Sequence, residues 1–64
     1  MSEILDWVKA EEHLKFCLDA YKGLVGQPNV NPWFVLGLLT GMQLRFESGT
    51  RSRELYDEIM EFEL

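Results

Sequence analysis

The sequence predicts an all-α fold: a compact three-helix domain with helices over about residues 3–22, 32–47 and 51–62. Three observations carry that prediction. Apolar residues recur at helical spacing in each stretch, Gly23, Gly26 and Pro28 break the pattern once, and Ser48 with Gly49 breaks it again. No repeat, low-complexity tract or linker divides residues 1–64, so they form one domain.

The first helix is expected from about Ser2 or Glu3 to Lys22, with Gly23 and Gly26 as its stop. At about 100° per residue, Trp7, Ala10, Leu14, Cys17, Leu18, Tyr21, Leu24 and Val25 fall on one stripe, the core face. Glu11, Glu12, Lys15, Asp19 and Lys22 take the other side, and Glu11 stands four residues before Lys15 in the favourable order. Ile4, Leu5, Val8 and Phe16 fit neither side, and predict a second contact surface.

The second helix starts sharply. Asn31 is suited to the N-cap and Pro32 to the first helical position, where a missing N–H costs no bond. Ser48 and Gly49 end it, with Gly49 fitting a left-handed cap and Arg45 fitting the negative end of the helix dipole. Its body is apolar on two sides. Val35, Leu38, Leu39, Met42 and Phe46 make a bulky side, whereas Gly37 and Gly41, framed by Trp33, Phe34 and Leu44, make a flat one. A helix apolar all round is expected to be buried all round, centrally between the other two and against another subunit.

Thr50 or Ser52 caps the third helix, and the short link before it implies an antiparallel hairpin with the second. Leu55, Tyr56, Ile59, Met60 and Phe62 form its apolar side. Its charges oppose the dipole, each by roughly 0.3–1 kcal/mol when exposed. Arg51 and Arg53 stand at the positive end, and Asp57, Glu58, Glu61 and Glu63 crowd the negative end. Two copies paired antiparallel would relieve both ends.

Six Lys and Arg against eleven Asp and Glu give a formal charge of −5. That balance argues against direct nucleic-acid binding, which needs clustered cations, and acidic membranes would repel the chain. The uncharged run from Gly23 to Leu44 is interrupted by prolines, and its apolar part falls short of the ~20 residues that span a bilayer. Acids near the start, where a secretory signal carries basic residues, predict a cytoplasmic protein. A chain of 64 residues buries only about 60% of its unfolded surface, so stability calls for help. Cys17 alone makes no internal disulfide, and one His with one Cys makes no structural metal site. Oligomerisation is therefore the expected help, through Ile4, Leu5, Val8, Phe16, Gly37 and Gly41.

No H-E-x-x-H, Gly-rich phosphate loop, C-x-x-C or G-x-S-x-G pattern occurs, so no catalytic residue, metal ligand or cofactor is nominated. His13 and Cys17 stand four apart but lack an orienting third group, and read as a core thiol with a histidine at its edge. The expected function is that of a small acidic nonenzymatic regulator, an adaptor or inhibitor that self-associates and binds a larger protein. An alternative is an oligomer that binds a small phosphorylated ligand. Its site would draw on Trp33, Arg45, Thr50, Arg51, Ser52, Arg53 and Tyr56 around the free N–H groups of the third helix. A further alternative is an acidic decoy of nucleic acid.

Overall fold

The structure, a computed structural model, describes residues 4–29 and 31–63. It contains three helices, α1 (Trp7–Lys22), α2 (Trp33–Glu47) and α3 (Arg53–Glu61), each in contact with the other two. Trp7 meets Phe46 at 6.1 Å and Tyr56 at 5.4 Å between ring centroids, and Tyr21 meets Phe62 at 6.0 Å. Hence α2 runs antiparallel to α1, and α3 runs back alongside α1. The bundle is long for its size, 48 × 20 × 15 Å. Its radius of gyration of 12.8 Å exceeds the ~11 Å of a compact chain of this length.

The first helix starts later than its pattern suggests. Residues 4–6 are not helical, and Asp6 is the N-cap, its side chain accepting from the Lys9 N–H at 3.1 Å. Asp6 satisfies an orphan donor there, an advantage that apolar spacing does not report. The expected start at Ser2 or Glu3 lies outside the described residues. Gly23 at the C-cap keeps a right-handed φ of −68°, and the left-handed turn falls at Gly26, φ +94°.

Pro32 rather than Asn31 occupies the N-cap of α2 and is buried, with the helix beginning at Trp33. Asn31 still contributes: its Oδ1 accepts from the Trp33 N–H at 3.4 Å. At the other end the chain reverses through a six-residue closure. The Thr50 N–H donates to the Arg45 carbonyl at 3.0 Å and the Gly49 N–H to the Phe46 carbonyl at 3.1 Å, with Gly49 at φ +97°. Ser52 then caps α3, its Oγ accepting from the Leu55 N–H at 3.1 Å. Replacing Ser52 by Ala lowers stability by about 1 kcal/mol, measured by urea unfolding, and Ser52→Asp restores most of it.

Among the described residues, eight buried side chains form one apolar cluster, the core. Ala10, Leu14, Cys17 and Leu18 come from α1, and Leu39 with Met42 from α2 and Leu55 with Ile59 from α3 supply the rest. Half the core thus belongs to α1. The second helix contacts both neighbours as expected, but in the single chain it is not buried on every side. Two helices cannot encircle a third, and only Leu39 and Met42 of α2 are fully enclosed.

Candidate functional site

Helical rotation explains what α2 leaves outside. Leu39, Met42, Val35 and Phe46 share the side that faces the core, and Trp33, Gly37, Gly41 and Leu44 point the opposite way. Phe34 and Leu38 flank them. Exposure reaches 75% at Phe34, 65% at Trp33, 62% at Leu44 and 47% at Leu38, so Leu38 belongs to the outer face and not to the bulky inner one. No charged residue occurs between Asn31 and Leu44. Against this face, between α2 and the end of α1, runs an open groove of about 740 Å³ lined by Lys22, Val25, Trp33, Leu36, Gly37, Thr40, Gly41 and Leu44. A cleft on another side, bounded by Leu14, Lys15, Gln43 and Phe46, measures only about 140 Å³. That is below the ~300 Å³ of ordinary ligand pockets.

The two glycines have no role inside the single chain. A Cβ placed at Gly37 or Gly41 would meet nothing within 4 Å. Each glycine in a helix interior costs about 1 kcal/mol relative to alanine, so the isolated chain carries roughly 2 kcal/mol of instability that no internal contact explains.

The other residues expected at an interface are distributed differently. Ile4, Val8 and Phe16 are exposed and Leu5 is half-buried, but Ile4 and Leu5 precede α1 instead of riding on it. On α1, Val8 stands among Glu11, Glu12, Lys15 and Asp19, and Phe16 between Lys9 and Glu12. Single apolar side chains among charges are ordinary for a surface. The six residues therefore do not form one patch, and Gly37 and Gly41 keep company with Trp33, Phe34, Leu38 and Leu44 instead.

The arginine-rich turn is engaged internally. Arg51 Nη1 donates to the Phe46 carbonyl at 2.7 Å and to its neighbour Thr50's carbonyl at 2.8 Å. Its guanidinium lies 3.9 Å from the centre of the Phe46 ring and 5.3 Å from that of Trp7. The Arg51 cation thus caps the negative end of α2, which removes its part of the expected dipole conflict, while Arg53 remains the first residue of α3 and the acids remain at its end. Arg53 Nε bonds both Asp57 oxygens at 3.1 and 3.2 Å, and Arg45 pairs with Glu58 while its Nε donates to the Gly41 carbonyl. Thr50 Oγ1 lies against Ser48 Oγ, Ser52 caps α3 and Tyr56 packs edge-on to Trp7. Trp33 is twelve residues from Arg45, about 18 Å along the helix. The seven residues nominated for a phosphorylated ligand are not gathered into one pocket. Arg51→Ala lowers stability by about 1–2 kcal/mol in thermal melts, and Arg51→Lys recovers less than half, because lysine lacks the planar fork and stack.

His13 and Cys17 also have structural partners. His13 Nε2 lies 2.8 Å from the Phe62 carbonyl and 3.7 Å from Cys17 Sγ. A carbonyl only accepts, so Nε2 carries the proton and is no base for the thiol. The contact ties α1 to the end of α3, and burial pushes the Cys17 thiol up from its ordinary value. Among the described residues no three His, Cys, Asp or Glu converge as a metal site, and no helix is long and apolar enough to cross a membrane.

In comparisons with known proteins, no family model, no curated protein and no solved structure matches this chain. The geometry of α2 is therefore the ground on which a functional reading stands.

Proposed function

We propose that the chain is a nonenzymatic interaction protein, an adaptor or inhibitor that works as a homo-oligomer and turns acidic faces toward a larger protein partner. The observation that carries this reading is the outer face of α2, four large exposed apolar side chains beside two bare glycines. Contiguous apolar surface of this kind marks association, not solvent contact. All eleven carboxylates lie outside residues 31–46. Covering α2 accordingly leaves Glu12 and Asp19 of α1 and Glu54 and Glu61 of α3 directed outward, a distribution that steers a partner with a basic surface. A cytoplasmic setting suits the buried Cys17 kept as a thiol.

The test is the mass in solution, by light scattering over about a hundredfold range of concentration. The expected result is a mass that rises to a multiple of 7.5 kDa. A single 7.5 kDa species at every concentration overturns the reading.

A further inference from the structure

We propose that the outer face of α2 is covered by the same face of a second copy, the two α2 helices running antiparallel about a two-fold axis level with Leu39. The inference rests on the self-association proposed above and specifies its surface and register.

A two-fold interface requires a surface that complements itself. In an antiparallel pair centred at Leu39, residues equally far on either side of that level stand opposite one another. Gly37 then faces Gly41, while Phe34 stands level with Leu44 and Trp33 with Arg45, on opposite flanks of the glycine line. Bare backbone meets bare backbone at the crossing, where the single chain leaves open space, so the helices can approach closely. A ring and a leucine fill each flank.

The available area matches what a dimer needs. At ~200 Å² for a whole aromatic side chain, Trp33 and Phe34 alone expose about 280 Å². The exposed parts of Leu38, Leu44 and Val25 bring the face to roughly 500 Å² per copy, and two copies to the ~1,000 Å² that specific interfaces clear.

Charge selects the second copy and its direction. Each copy carries −5, yet no acid stands among Trp33, Phe34, Leu38 and Leu44, so pairing here buries no carboxylate in the middle of the contact. Parallel pairing would bring Arg45 against Arg45 and align the two helix dipoles unfavourably, whereas antiparallel pairing avoids both.

Single variants Gly37→Cys and Gly41→Cys, prepared separately and mixed in a thiol–disulfide buffer, test the register. The native Cys17 is buried and stays out of the exchange. The expected product is the mixed disulfide between the two variants, in excess of either self-disulfide. Alongside, Gly41→Leu weakens the dimer at least about tenfold by sedimentation equilibrium. Gly37→Ala with Gly41→Ala also weakens it, although alanine favours the helix and the open space accepts it, so misfolding does not account for the loss. A dimer that survives Gly41→Leu, or that forms only self-disulfides, overturns the register and leaves the interaction reading standing. A wild-type chain that stays at 7.5 kDa overturns both. A monomer that floats with phosphatidylcholine vesicles assigns the face to lipid, and overturns the proposal as well.

Discussion

Leu39→Ala removes about 2–5 kcal/mol of stability, whereas the same change one residue earlier, at Leu38, costs the isolated chain less than about 1 kcal/mol. The two leucines are adjacent in sequence and about 100° apart around α2. Leu39 is wholly enclosed by the core cluster, so truncation loses its burial and leaves a cavity between three helices. Leu38 is about half in water and leaves no cavity. A domain of this size holds roughly 3–10 kcal/mol in all, so the Leu39 variant gives up a large share of it. Urea unfolding at low concentration, where any oligomer has dissociated, reads the difference directly. Equal losses at the two positions would refute this packing of α2.

Phe34→Glu separates assembly from folding. Phe34 stands on the outer face with most of its surface in solvent, so a glutamate there leaves the core contacts untouched. At an interface it buries a carboxylate without a partner, and the dissociation constant rises by about a hundredfold or more. Melting temperature rises with wild-type concentration if folding is linked to association, and becomes independent of concentration in the variant. Phe16→Glu is the control: the same chemical change on an exposed phenylalanine of α1, among charges, leaves the concentration dependence as it was. A reversed result would move the interface to α1.

Local signals made the three helices legible. Ser52 and Gly49 announce the turn between α2 and α3, and the structure gives each the role its side chain, or lack of one, suits. Helical spacing also identified Leu14, Leu18, Leu39, Leu55 and Ile59 as core, because burial in a small bundle follows the wheel. Arg51 was not legible. Its place depends on the chain folding back so that the guanidinium meets carbonyls of the preceding helix and two rings, and spacing within α3 contains none of that. Leu38 failed for a related reason: it lies near the boundary between two apolar sides, and only the angle at which α1 and α3 approach decides which side keeps it. Ile4, Leu5, Val8 and Phe16 were grouped by a shared lack of fit on one helix, but Asp6 starts α1 after the first two, and charges separate the others.

The closure between α2 and α3 bears on the route by which the chain reaches this state. Only five residues join these helices, against ten between α1 and α2, and the Thr50, Gly49 and Arg51 bonds all fall within that reversal. The hairpin therefore forms by local search, yet it holds only half the core and has little stability until α1 docks. The transition state is expected to be polarised, with φ-values high in the turn around Gly49 and Ser52 and low along α1 at Leu14 and Leu18. Docking of α1 then becomes the last step of folding and its detachment the first step of unfolding.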